Sequence, residues 1–118
     1  MLIGTTVQNF VQQILKTDAK AGVVVAGDFN EFAFLEPIKL FAEVSGLHNM
    51  DDVAGIPQNE RYTYTWEMNS QQLDYMFASE GIKYGAQYEH VHANTWALKG
   101  KQVSDHDPSV GRFNICTK

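Results

Sequence analysis

The chain has 118 residues, of which 44% are hydrophobic and 19% are charged, and its formal net charge is −5. This composition is typical of one globular domain and excludes a disordered or fibrous protein. The acidic balance opposes nonspecific attraction to a polyanion, although cations bound to some of the carboxylates would weaken that repulsion.

No segment of the sequence resembles a membrane span or a signal peptide. The longest apolar runs, such as residues 23–26, are far shorter than the ~20 residues that cross a bilayer. The first residues lack the positive segment and the apolar core of a signal peptide. The single cysteine, Cys116, cannot close a disulfide within the chain. The compartment is therefore left open, and a longer parent protein could be secreted.

The first predicted elements are a helix and a strand. Apolar residues at positions 7, 10, 11, 14 and 15 form one stripe at helical spacing. Thr5 or Thr6 can cap the start of this helix, and Gly22 marks the break after it. The run at residues 23–26 predicts a strand that is buried on both faces. Asp28 and Asn30 follow at its carboxyl end.

A second helix is predicted over residues 35–44, with Pro37 in its first turn and Gly46 after its end. Residues 47–61 carry turn formers without a clear period, so we expect a loop, in which His48 has no assigned role. Residues 62–66 have strand propensity, and Asn69 and Ser70 mark a turn.

The next predicted strand alternates large apolar residues with Asp74 and Met76. This alternation places Asp74 on the face opposite the large side chains. Further strands are expected within residues 88–97 and at residues 109–115. The whole chain, residues 1–118, is therefore predicted to be one α/β layer without an internal repeat or domain boundary.

Three short stretches carry most of the chemistry. They are Gly27-Asp28-Phe29-Asn30, Leu73-Asp74-Tyr75-Met76-Phe77 and Ser104-Asp105-His106-Asp107-Pro108. Each alone is weak, because an Asp or Asn after a strand often only forms a turn. Together they place four carboxylates, one amide and one imidazole near strand ends. That combination predicts a site that hydrolyses phosphoesters.

The order and residue types of these stretches resemble the C-terminal half of the endonuclease/exonuclease/phosphatase family, which has the deoxyribonuclease I-like fold. The resemblance runs from about residue 6 to residue 115. It implies half of a four-layer α/β/β/α sandwich, with a mainly antiparallel sheet and two helices on one face. The family's first half, with its metal-binding Glu and usually a second His, has no counterpart here, so the resemblance implies a fragment whose own turnover is negligible.

The resemblance also implies a role for each site residue. Asp28 positions or deprotonates the attacking water and binds metal, and Asn30 holds the phosphate. Asp105 is associated with the metal, which is Mg²⁺ or alternatively Mn²⁺ or Ca²⁺. His106 lies at the scissile phosphate, and Asp74 orients its ring, so we expect a carboxylate oxygen within ~3.2 Å of a ring nitrogen.

Three functions remain open at this stage. The favoured one is a nuclease that acts on DNA or RNA as part of a larger domain. Family members that cleave phosphomonoesters or lipid phosphodiesters share the motifs, so these activities are the alternative. The third is an inactive half-domain that self-associates through an exposed sheet face. The candidates for that face are Val24, Leu73, Tyr75, Phe77 and Phe113.

Several other residues have competing interpretations. His90 and His92 lie on one face of a predicted strand, which is compatible with zinc, but no further ligands stand at a recognisable spacing. A solvated strand face is therefore favoured for both. Asp107 is expected to be structural. Trp66 and Trp96 are expected to be core or sheet-face residues rather than platforms for bases.

Overall fold

The computed structural model describes the backbone of residues 2–116 and the side chains of residues 4–116. The α-helices are α1 (Leu2–Thr17), α2 (Glu36–Ser45), α3 (Met50–Val53) and α4 (Glu80–Lys83). The strands are β1 (Val24–Asp28), β2 (His48–Asn49), β3 (Tyr64–Trp66), β4 (Asn69–Gln71), β5 (Asp74–Ala78), β6 (Gln87–His90) and β7 (Ser109–Arg112). Two 3-10 helices cover Gln58–Glu60 and Lys99–Lys101. None of the helices in this range has the length and apolar character needed to cross a bilayer.

The main sheet has three strands in the order β1-β5-β2, and both of its pairings are antiparallel. The strand pairs β3–β4 and β6–β7 form two separate antiparallel ladders. The predicted mixed α/β fold with a mainly antiparallel sheet is therefore confirmed. In the pairing of β1 with β5, Asp28 lies directly opposite Asp74, which sets the position of the candidate site.

Helices α1 and α2 cover one face of the main sheet, as predicted. Their apolar stripes pack on alternate residues of β5, because side chains two apart on a strand share a face. In α2, Pro37 stands in the first turn and Gly46 follows the last turn with φ 74, which is the expected left-handed stop. The buried side chains of this cluster are Val11, Ile38, Phe41, Leu47, Tyr75 and Phe77.

The other face of β5 packs against the β6–β7 hairpin. Met76 and Ala78 lie on this face, in one apolar cluster with the buried Tyr88 and the half-buried Phe113. Three of the five residues expected on an open sheet face are therefore wrongly assigned. Leu73, Tyr75 and Phe77 are buried, the last two beneath the helices, and only Val24 is exposed. The same exposure shows that β1 is not buried on both faces.

Four local predictions need correction. Helix α1 begins at Leu2, so both proposed caps lie inside it, and Phe10 of the predicted stripe is exposed. The predicted loop at 47–61 contains β2, α3 and a 3-10 helix. Asn49 caps α3 by accepting a hydrogen bond from the backbone N–H of Asp51 at 2.9 Å. The β3–β4 turn lies at Glu67 and Met68, whose φ angles are 46 and 68, rather than at the two following residues.

Candidate active site

The two carboxylates of the site come together because their strands pair. Asp28 is the last residue of β1 and Asp74 is the first residue of β5, and the antiparallel register places them side by side. On β5, Asp74 faces away from the buried Tyr75 and Phe77, as its alternation with them predicts. The carboxylates therefore meet at one end of the sheet, on the face that the helices do not cover.

His106 reaches the same place from the segment before β7. Its Nδ1 lies 2.6 Å from Oδ2 of Asp74, so the expected contact is present. One possible ligand atom from each of Asp28, Asp74 and His106 lies within 4.8 Å of the other two. This is the one such group of three or more that the described side chains form. Three segments that are distant in sequence thus converge on one point.

Thr63 fixes the backbone on both sides of this contact. Its side-chain oxygen accepts hydrogen bonds from the N–H groups of Leu73 and Asp74, each at 3.2 Å. Its carbonyl oxygen accepts the N–H of Asp107 at 2.7 Å. Since Asp107 directly follows His106, one fully buried residue holds both members of the Asp74–His106 pair.

Asp107 is structural, as predicted. Its buried carboxylate accepts hydrogen bonds from the N–H groups of Asn94 and Thr95 at 2.9 and 2.8 Å. It also accepts the Thr95 hydroxyl at 2.6 Å and contacts Nδ1 of His92 at 2.9 Å. Burial raises the pKa of Asp107, but these hydrogen bonds outweigh that effect and lower it overall. The network folds residues 92–97 into turns and a bend, so the strand expected within residues 88–97 occupies only the start of that range and ends at His90.

Asn30 and Asp105 stand at the edge of the cluster. The N–H of Asn30 donates to Oδ1 of Asp28 at 2.7 Å, and its φ of 49 lies in the left-handed region. This turn holds the Asp28 carboxylate, while the Asn30 side chain has no partner among the described residues. Asp105 is exposed and is not one of the three clustered groups. The structure therefore groups Asp28 with Asp74 and His106 and leaves the other predicted metal ligand outside.

The charge of His106 responds to all of these carboxylates. Partial burial lowers the pKa of His106, but the hydrogen bond that the ring donates to Asp74 and the negative charges of Asp74, Asp28 and Asp105 outweigh it. The net pKa lies above the ordinary value of 6.5. His106 therefore carries a positive charge to higher pH than an isolated histidine does.

A cleft of about 220 Å³ opens beside Asp74, between the main sheet and the start of β7. Of the three clustered residues, only Asp74 lines this cleft. Its lining residues are Ala26, Gly27, Asp74, Tyr75, Met76, Tyr88, Asp107, Pro108 and Ser109.

A further aspartate–histidine pair lies inside the protein, and no sequence pattern predicted it. Nε2 of His90 lies 2.6 Å from Oδ1 of Asp51, and Nδ1 of His90 lies 2.7 Å from Oγ of Ser109. His92 packs flat against the ring of Tyr62. The side chains of both histidines are largely buried, so the expected solvated strand face is wrong. Within residues 4–116, neither belongs to a group of three metal-ligating side chains.

Comparisons of the chain with protein-family models, curated proteins and solved structures find no match. The resemblance to the endonuclease/exonuclease/phosphatase family therefore stays a prediction that rests on the three motifs. The geometry of Asp28, Asp74 and His106 is the observation from which a function can be argued.

Proposed function

We propose that the chain carries the site of a metal-dependent phosphodiester hydrolase, and that a nuclease is the favoured activity. The observation that carries this proposal is the convergence of Asp28, Asp74 and His106 within 4.8 Å at paired strand ends. Isolated aspartates after strands are common turn residues. Here the pairing of β1 with β5 places two aspartates side by side, and the buried Thr63 holds the backbone next to one of them and next to the imidazole. This arrangement is more specific than an isolated turn residue.

The residues present suit a hard divalent cation. Carboxylate oxygens are preferred ligands of Mg²⁺, Mn²⁺ and Ca²⁺. Since Oδ2 of Asp74 contacts His106 and Oδ1 of Asp28 accepts the N–H of Asn30, Oδ2 of Asp28 is the proposed ligand of the cation. Asp105 is a proposed additional ligand from the solvent side. When bound, the cation neutralises charge on the phosphate and favours ionisation of a coordinated water.

The side chains of the chain supply the remaining chemistry. Asp28 orients the attacking water and accepts its proton. The protonated ring of His106 donates to a phosphoryl oxygen through Nε2, since Nδ1 is held by Asp74. Asp74 fixes the orientation of the ring and stabilises its positive charge. Asn30, directly after the Asp28 turn, is proposed to hold a second phosphoryl oxygen.

The test compares substrates and variants in the 118-residue chain and in the longest natural protein that contains it. Supercoiled plasmid, RNA, inositol phosphates and sphingomyelin are incubated with Mg²⁺. We expect the longer protein to nick the nucleic acids, and Asp28→Asn and His106→Ala each to abolish that nicking. We expect negligible turnover by the 118-residue chain alone. His48→Ala is the matched control, because His48 makes its ion pair with Glu80 on the surface.

The outcomes separate the candidate functions. Hydrolysis confined to lipid or inositol substrates would reject the nuclease and keep the hydrolase. Activity that survives both substitutions would reject the site. Calorimetric titration with Mn²⁺ gives a second readout, since Asp28→Asn should weaken cation binding even where turnover is slow.

A further inference from the structure

The loop between β6 and β7 presents a tryptophan ring that is both exposed and fixed. Trp96 is 76% exposed, although its indole stacks on the ring of His92 with centroids 5.8 Å apart and planes at 25°. Its Nε1–H donates to the hydroxyl of Tyr62 at 2.6 Å. The polar edge of the indole is therefore satisfied within the protein, and what stays open is its apolar surface.

The support beneath this indole is rigid. The ring of His92 stacks on that of Tyr62 at 3.8 Å and on that of Trp96 at 5.8 Å between centroids, and the hydrogen bond from Trp96 to Tyr62 joins the other two rings. Nδ1 of His92 contacts the buried carboxylate of Asp107 at 2.9 Å. The expectation that Trp96 is a core or sheet-face residue is therefore wrong, because the indole is exposed in a loop.

The stack is joined directly to the candidate active site. Asp107, which holds His92, is the residue after His106. The side-chain amide of Asn94 donates to the carbonyl oxygen of His106 at 2.6 Å. The loop that carries Trp96 and the backbone of His106 therefore belong to one hydrogen-bonded unit.

The same loop carries two cations in an acidic chain. Lys99 and Lys101 form the ends of the 3-10 helix and are exposed. Neither takes part in an ion pair with another described residue. Free cations beside an exposed aromatic ring are the combination that binds single-stranded nucleic acid, because bases stack on the ring and phosphates lie against the cations.

We propose that Trp96 is a stacking site for a base of single-stranded nucleic acid, with Lys99 and Lys101 binding the adjacent phosphates. The proposal rests on the proposed function for the placement of the scissile phosphate beside His106, and it names the substrate class of that site. A lipid surface fits less well, because interfacial tryptophans use the N–H as their wet, polar end, and here that group is bonded to Tyr62.

Binding is measured by fluorescence anisotropy with a labelled ten-residue oligothymidylate in EDTA and low salt, where no cleavage occurs. Trp96→Ala should weaken binding by roughly 5- to 150-fold, the range for loss of one stacked base. Trp96→Phe should retain most of the affinity. A strand of the same length without bases should bind weakly to the wild-type chain and be insensitive to Trp96→Ala.

Trp66 provides the matched control. It is 57% exposed at the end of β3 and has no described stacking partner, so Trp66→Ala should leave binding unchanged. Replacing Lys99 and Lys101 with Gln should reduce the slope of log affinity against log salt by about 1.4, since each phosphate contact on a single strand contributes about 0.7. A thermal melt of each variant shows that the fold is retained.

Three results would overturn the proposal. Trp96→Ala could bind the strand as tightly as the wild type does, or the strand without bases could bind equally well. Alternatively, vesicles of phosphatidylcholine and phosphatidylserine could bind in a manner that depends on Trp96 while oligothymidylate does not. Binding in EDTA is measured without cleavage. Base-dependent binding in EDTA, together with no hydrolysis by the longer protein in Mg²⁺, would reject the proposed function alone. Hydrolysis that is indifferent to Trp96 would reject the stacking site alone.

Discussion

Two of the three aspartate–histidine pairs that the described residues form are equally short but lie in opposite surroundings, and the third, His92 with Asp107, is longer at 2.9 Å. The atoms of both pairs are 2.6 Å apart, but the side chains of His90 and Asp51 are 1% and 0% exposed, while those of His106 and Asp74 are 25% and 23% exposed. Every remaining polar position of the inner pair has a protein partner. The second ring nitrogen of His90 contacts Ser109, and Gln72 donates to the second oxygen of Asp51 at 2.6 Å.

The outer pair is incomplete by contrast. Nδ1 of His106 contacts Asp74, whereas Nε2 has no hydrogen-bond partner among the described residues and is free to meet a ligand. The contrast shows that the pair itself does not mark a functional site. What distinguishes a candidate catalytic histidine is a ring nitrogen without a partner beside a second carboxylate, which here is Asp28.

The largest expected effect is on catalysis at the outer pair. His106→Ala should lower the rate of plasmid nicking by about 10²- to 10⁴-fold, the usual contribution of a positioned acid or base. The stability should change little, because the pair is partly exposed and such pairs contribute about 0–1 kcal/mol. Initial rates with Mg²⁺ and urea unfolding of the same preparations measure both quantities. If His106→Ala lost activity only because it unfolded, the outer pair would be structural like the inner pair, which would contradict this prediction.

The inner pair should show the reverse behaviour. Asp51→Ala leaves His90 and Gln72 without their acceptor in the interior, and breaking a buried pair costs about 3–5 kcal/mol. We expect the free energy of unfolding to fall by that amount in urea titrations, beside a change of about 1 kcal/mol or less for Asp74→Ala. Equal losses for the two substitutions would show that the exposed fraction does not distinguish the pairs.

The difference between the pairs also explains what the sequence could predict. Asp74 stands in a strand that alternates with Tyr75 and Phe77, and this local pattern determines its face. Asp28 follows a β-branched run that ends in a turn, which is again a local signal. The prediction of the candidate site therefore depended on short stretches whose geometry the neighbouring residues define.

The inner pair had no such signal. Asp51 lies in a short helix within a stretch that reads as loop, and it meets His90 across 39 positions of sequence. The solvated face predicted for His90 and His92 was wrong because long-range partners bury both rings. The open face predicted for Leu73, Tyr75 and Phe77 was wrong for a related reason. That expectation came from the resemblance to half of a four-layer sandwich. It did not take account of α1 and α2, whose apolar stripes cover Tyr75 and Phe77.

A smaller effect is expected at Thr63, which fixes the backbone of the outer pair. Thr63→Val keeps the volume but removes the acceptor of two N–H groups, those of Leu73 and Asp74. An unsatisfied buried donor costs about 1–3 kcal/mol, and Thr63→Ser should restore most of this loss. Urea unfolding measures the cost. The chemical shifts of His106 would also change in the Val variant if Thr63 positions the ring, whereas a purely structural role would leave them unchanged.

The smallest expected effect is a change in the titration of His106. Burial lowers its pKa and the contact with Asp74 raises it to a net value above 6.5, so Asp74→Asn should move the pKa downward. Because the folded-state pKa is raised, the stabilisation is fully present below the unfolded pKa of about 6.5 and disappears as pH rises through the folded-state value. The difference in stability between wild type and Asp74→Asn should therefore be larger at pH 6 than at pH 9. NMR titration of the imidazole measures the pKa, with Asp105→Asn as the control, since that carboxylate acts through its charge alone and should produce the smaller shift. A His106 pKa that does not fall in Asp74→Asn would show that Asp74 does not stabilise the protonated ring. The outer pair would then be no different from an ordinary surface contact.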